Sequence, residues 1–276
     1  MEHLLVVGLP DAGKTSYLAA LWDALNSPDD RLLNLVTPPD NKRYLEEARA
    51  RLQNLQSPVR NPRTLKAVEM QVATKDGTAI EVSVPDIAGD LYSDYWETRE
   101  WTQEFDGLVQ QLTGVMVFLH AEHVATPLSL DDLGELAVAA GGAIESVTGE
   151  SAATTWAPKS APLQVKLVDL LQMIEHRRGP SRPLGLAVLI SAWDRVRNMQ
   201  PAEWLRRSAP LLDQYLGNAE FWRRHRVFGV SAQGGDFKTD RNTLEGIRPS
   251  DRVKVAGEGM TANDITAPME WLIVRS

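Results

Sequence analysis

Cysteine is absent from this 276-residue chain, which excludes disulfides and thiolate metal sites and is compatible with a reducing compartment. Also missing is any apolar run approaching the roughly 20 residues of a membrane span. Positive charge is in short supply: 29 Lys and Arg stand against 37 Asp and Glu, a formal net charge of −8. That balance argues against a general nucleic-acid or anionic-membrane surface. No internal repeat is visible. Met1-Glu2-His3 leads straight into an apolar stretch, which leaves no room for a signal peptide, so a cytoplasmic protein is expected. What is present is ordinary for a globular chain, 43% hydrophobic and 24% charged, and its length allows one large α/β domain or two small ones.

The most informative stretch is Gly8-Leu-Pro-Asp-Ala-Gly13-Lys14-Thr15. It meets the P-loop pattern G-x-x-x-x-G-K-[ST] at every fixed position. Such a string arises by chance in roughly one per cent of chains this long, so its flanks decide the matter. Leu4 to Val7 before it is a short apolar run suited to a buried parallel strand. Ser16 to Leu25 after it has apolar residues at helical spacing and no Gly or Pro. Between a strand and a helix, the backbone N–H groups of residues 10 to 15 can turn inward and hold a phosphate chain with the positive helix end. The expected contacts are therefore Gly8, Asp11, Ala12, Gly13, Lys14, Thr15 and Ser16. Lys14 would reach the β- and γ-phosphates, and the Thr15 hydroxyl would ligate Mg²⁺.

Further along, Ser27-Pro-Asp-Asp30 and Thr37-Pro-Pro-Asp40 break the first helix and start another, over about 41–55. Ser57 to Thr64 is a Pro-punctuated loop. Residues 65–74 and 78–84 then alternate apolar and polar across Lys75-Asp76-Gly77, predicting a β-hairpin. It runs into Pro85-Asp86-Ile-Ala-Gly89-Asp90. An Asp-x-x-Gly at the end of an apolar strand supplies a carboxylate beside the P-loop. There Asp86 would hold Mg²⁺, through water, and the Gly89 N–H would meet a γ-phosphate.

With these pieces in place, the chain resembles a Ras-like P-loop GTPase of the translation-factor-related class. The resemblance implies a three-layer α/β/α P-loop NTPase fold whose mixed, mostly parallel sheet carries one antiparallel hairpin strand. It implies bound GTP or GDP with Mg²⁺. It also implies a switch threonine just before the hairpin, and Thr64 stands there, 22 positions before Asp86. Thr64 would complete the Mg²⁺ sphere and sense the γ-phosphate; the alternative is a strand-initiating Thr. Arg60 and Arg63 share its loop, as candidates for a transition-state arginine or as solvated side chains.

The family's base-reading motifs follow in order. Residues 184–190 form an apolar strand ahead of Ser191-Ala192-Trp193-Asp194, a degenerate form of Asn/Thr-Lys-x-Asp. Asp194 keeps the key position, where it would accept hydrogen bonds from guanine N1 and N2; the usual lysine is missing at Ala192. Trp193 would cover the base by stacking, or else pack in the core. After a strand at 227–230, Ser231-Ala232-Gln233 matches the Ser-Ala-x base loop. The family's catalytic Gln after Asp-x-x-Gly is replaced by Asp90. A carboxylate beside a γ-phosphate repels it, so slow or partner-activated hydrolysis is expected. Lys14, Thr64, Gly89 and Asp90 are then the catalytic set.

The remaining segments carry less. Residues 91–112 read as mostly helical, 114–119 as a central strand, and 121–161 as an insert before a crossover helix at 162–178 within a single domain spanning 1–276. His120 and His123 close the central strand near the presumed phosphate site, in surface or catalytic roles. Residues 201–216 and 219–226 read as amphipathic helices, 234–259 as polar loop, and 267–274 as a terminal helix. The long switch-side helix, the insert and the altered base motif resemble divergent prokaryotic double-GTPases of multi-component conflict or defence systems. Such a switch would gate a protein partner. A nucleotide-locked interaction module with negligible turnover, or an ATP-dependent P-loop enzyme, remain as alternatives. Lys14→Ala is expected to abolish nucleotide binding, measured by fluorescence titration; retained micromolar binding would remove the P-loop assignment.

Overall fold

The structure is a computed structural model and describes residues 1–40, 42–58, 67–85, 87–124, 157–179, 182–260 and 263–274. Strand β1 (Glu2–Val7) enters helix α1 (Lys14–Leu25), followed by β2 (Leu33–Thr37) and α2 (Arg43–Gln53). The hairpin β3 (Ala67–Thr74) and β4 (Ala79–Pro85) leads to α3 (Gly89–Thr98), α4 (Gln103–Gln111) and β5 (Gly114–His120). Helix α5 (Leu163–Arg178), β6 (Gly185–Ser191), α6 (Pro201–Ser208), α7 (Pro210–Asn218) and β7 (His225–Ser231) come next. The single turns α8 (Arg241–Leu244) and α9 (Pro249–Arg252), then β8 (Lys254–Gly257) and α10 (Ala267–Ile273), complete the order.

The eight strands among the described residues join one sheet in the order β2-β3-β4-β1-β5-β6-β7-β8. Strands β4, β1, β5, β6 and β7 run parallel, and β3 is the expected antiparallel hairpin strand. A second antiparallel strand, β8, closes the far edge against β7. The central strands are apolar on both faces, and period-2 geometry deals their side chains to two cores. Leu4, Val6, Met116, Phe118, Ala187 and Leu189 face the layer of α1, α2 and α10. Leu5, Val7, Val117, Leu119, Val188 and Ile190 face the layer of α3 to α7. Trp22 and Trp222 are fully buried anchors of the two layers. Each such large apolar side chain contributes about 1.5–3 kcal/mol by leaving water.

Several segments differ from their expected form. Residues 33–37 form an edge strand inside what reads as a helix-breaking connection: only Leu33 is fully buried there, and a register shift follows Leu35, so no alternation marks it. Residues 219–226 are not a helix. Phe221 and Trp222 both enter the core from one 3₁₀ turn, and β7 has begun by His225. The 234–259 stretch carries α8, α9 and β8, whose four residues are too few to show a period. Pro210 divides the predicted 201–216 helix in two. Of the insert, residues 125–156 lie outside the described residues.

The chain end before α10 ties β2 to α1. Asp264 accepts from the Leu32 N–H at 2.7 Å, and Thr266 Oγ1 accepts from the Leu33 N–H at 3.3 Å. Tyr17 donates its hydroxyl to the Ile265 carbonyl at 3.2 Å. Thr266 is fully buried, so removal of its hydroxyl strands a buried N–H. Thr266→Val is expected to lower the unfolding free energy by about 1–3 kcal/mol, read as a shift in the urea midpoint. An unchanged midpoint would mean that this bond contributes nothing net.

Candidate nucleotide-binding site

The carboxyl ends of the parallel strands lie level along one edge of the sheet. His120 is in register with Ser191, and Ser191 with Val230. The loop after β1 rises beside them. In it, Gly13 takes a left-handed φ of 93° and caps α1. A Cβ there would come within 2.7 Å of both Cβ and Oγ of Ser191, so both backbone and space require glycine. Helix α1 has no capping side chain and no acidic residue in its first turn. Its first N–H groups and positive dipole end therefore face the sheet edge with no built-in anion.

Lys14 is buried and arches over its own loop, donating from Nζ to the Gly8 carbonyl at 2.5 Å and the Leu9 carbonyl at 3.1 Å. A phosphate chain is a stronger acceptor than neutral carbonyls, so an ammonium held here is placed for one. Gly89 meets the same loop from the other side: a Cβ on it would lie 2.5 Å from Pro10 N. Packing thus supplies a reason for glycine at 89 independent of any contact with a ligand. Asp90 follows in the first turn of α3.

Two contiguous cavities of about 320 and 310 Å³ occupy this edge. They share Gly13, Ser16, Ser57, His120 and Gln233. The phosphate end is lined by Asp11, Ala12, Lys14, Thr15, Gly89 and Asp90. The other end is lined by Ala192, Asp194, Arg195, Ser231, Ala232 and Lys238. One groove therefore joins the P-loop to the Asp194 turn. Gly8 lies beneath, closely packed on Phe118.

At the far end, the Ser231 hydroxyl donates to Asp194 Oδ1 and accepts from the Gly234 N–H at 3.0 Å. Arg195 lies 3.7 Å from Asp194 Oδ2 and bridges toward Asp236 and Asp240. The carboxylate is thereby fixed in orientation while keeping lone pairs for a donor edge. Gln233 Nε2 donates to Ser16 Oγ at 3.2 Å, tying this loop to α1. Ser191, in the place of the family's Asn or Thr, is buried with its hydroxyl unpartnered among the described residues.

Trp193 does not line the groove. It is buried in the α3–α7 core against Gly229, whose Cβ would fall 2.1 Å from the Trp193 ring. The packing alternative describes its position, and base stacking does not. Thr64 and Asp86, with Arg60 and Arg63, lie outside the described residues; Thr15 is the described member of the metal set and lines the phosphate end. Sequence reasoning passed over Ser57, Arg195, Phe237 and Lys238, which also line the groove. Isolated residues in irregular loops carry no periodic signal that would mark them.

His120 is half-buried, and burial first, then the like charge of His123, holds its pKa below the ordinary imidazole value.

None of the curated proteins matches the chain. Among solved structures, a small GTPase of Trypanosoma brucei, Arl6 BBS3 with bound GppNp, is 12% identical at a TM-score of 0.37, covering 88% of this chain and 95% of that one. The signal recognition particle receptor SRb-GTP/SRX complex of Chaetomium thermophilum is 13% identical at a TM-score of 0.41, covering 90% and 97%. Both likenesses are distant. The model of the Double-GTPase 1 family, by contrast, matches residues 5–272, so the span from β1 through α10 belongs to that family, and this chain is a member of the Double-GTPase 1 family.

Proposed function

We propose that this protein is a guanine-nucleotide switch that binds GTP with Mg²⁺, hydrolyses it slowly or upon activation, and gates a protein partner in the cytoplasm. The observation that carries this reading is the single groove with the P-loop at one end and the Ser231–Asp194 pair at the other. The P-loop N–H groups and Lys14 hold the phosphates. Asp194 accepts from the donor edge of guanine, and the backbone of 231–233 faces its carbonyl. Thr15 fits a metal by its place beside Lys14; with Asp86 and Thr64 it would hold Mg²⁺, which offsets phosphate charge.

Gly89 carries phosphate state outward because it touches the P-loop backbone and begins α3. Helix α3 in turn docks on α5 through Trp96 Nε1 to Asp169 at 2.8 Å. Ordering of the segments around 57–64 and 86–101 is the proposed output. Family membership supports a role in a prokaryotic conflict or defence system. Asp90 on the phosphate wall also favours a second reading, a nucleotide-locked interaction module with negligible turnover; phosphate release under multiple turnover separates the two.

The decisive test is displacement of fluorescent GTP, with Mg²⁺, by unlabelled GTP, GDP, ATP or xanthosine triphosphate. Displacement by GTP and GDP but not by ATP is expected; displacement by ATP alone would overturn the guanine assignment. Asp194→Asn is expected to shift preference toward xanthine nucleotides by tenfold or more, about 1.4 kcal/mol or above, since an amide can donate where the carboxylate only accepts. Unchanged selectivity in the same titration would mean that the base is read elsewhere.

A further inference from the structure

Two imidazoles at the end of β5 have no part in the mechanism so far. His120 lines both ends of the groove, and His123 lines the phosphate end with Lys14, Gly89 and Asp90. Their rings stack at 4.0 Å between centroids and 17° between planes. The turn that brings them together is tight: the His123 N–H donates to the His120 carbonyl at 3.0 Å, and the Glu122 N–H donates to His120 Nδ1 at 3.2 Å. With Nδ1 as acceptor, that bond assigns the His120 proton to Nε2.

Position 90 bears a carboxylate, which repels a γ-phosphate instead of steering water toward it. Gln233, the one carboxamide on the phosphate wall among the described residues, is engaged with Ser16. The imidazoles are side chains of that wall whose ring nitrogens can accept a hydrogen bond from water. The charges facing them are Glu122 on their own turn, Asp11 and Lys14 of the P-loop, Asp90 of α3 and Asp194 after β6.

We infer that His123 is a catalytic residue of GTP hydrolysis, accepting a hydrogen bond from the attacking water, and that His120 is a positioning residue that holds its ring by stacking. The inference rests on the GTP-hydrolysing reading above. In the step, the water oxygen bonds to the γ-phosphorus as the bond to the β–γ bridging oxygen breaks. The electron pair leaves on GDP. One water proton passes through His123 to an oxygen of the released phosphate, and the imidazole returns to its starting state.

The test compares wild type, His123→Ala, His123→Asn and His120→Asn in single-turnover hydrolysis of radiolabelled GTP with Mg²⁺, with GTP and GDP affinities titrated separately. His123 is exposed, so its replacement leaves the core intact. His123→Ala and His123→Asn are expected to slow hydrolysis about 10²–10⁴-fold with affinities unchanged. His120→Asn removes the ring that stacks on His123 and is expected to slow hydrolysis while GTP and GDP affinities stay unchanged, a split between rate and affinity that a merely structural residue would not give. Independently of turnover, the His123 ring-nitrogen NMR signals are expected to move when GppNHp replaces GDP, while those of His3 and His176 stay. A His123→Ala rate equal to wild type, or a wild type that binds GTP without turning it over, overturns the proposal and leaves nucleotide binding standing. Failure of wild type to bind any nucleotide fails the guanine-nucleotide reading itself.

Discussion

Gly13 lies in a left-handed conformation against Ser191, with no space for a side chain between them. That contact sets the height of the P-loop over the sheet edge, because the first turn of α1 begins at Lys14. It aims the uncapped helix N-terminus across the ends of β5 and β6. Every other feature of the groove is measured from it. Lys14 reaches its own loop carbonyls from the first helical position, and Ser16 meets Gln233 from the same turn. The close approach at Gly13 and the Lys14 bonds to the Gly8 and Leu9 carbonyls together hold the loop.

The same close approach recurs at Gly89, on the opposite side of the P-loop. The beginning of α3 and the phosphate loop share a surface with no intervening side chain, and any displacement of one is felt by the other. Helix α3 then leans on α5 and packs Tyr92, Tyr95 and Trp96 into the core. Cores are close-packed and yield in discrete steps. Helix α3 is thus tied to the phosphate loop at its start and to α5 through Trp96. Tyr92 reinforces the link, since its hydroxyl donates to the Val6 carbonyl at 2.7 Å, directly below the loop.

Much of the fold is legible in the chain because its informative residues are neighbours in sequence. Strand β1, the P-loop and α1 form one continuous passage of about two dozen residues. The hairpin is marked by alternation on both sides of Lys75-Asp76-Gly77. Where the signal needs length, it fails: β2 and β8 are edge strands of five and four residues, too short to show a period beside polar loops. Residues 219–226 mislead for a related reason, since adjacent aromatics enter the core from one turn and mimic a helical face.

By itself, the sequence determined what is local: the strand–loop–helix at the P-loop, the hairpin, the apolar central strands, and the identity of Asp194 and Ser231 as candidates. Fixed spacing along one passage suffices there, because propensity and pattern act over a few residues. Only the tertiary structure decided that Ser231 and Asp194 touch across 37 positions. It alone sent Trp193 inward against Gly229, and stacked the His120 ring on that of His123. Those outcomes depend on register between strands distant in sequence, which is set by how two cores pack against one sheet and is not written in any single stretch of the chain.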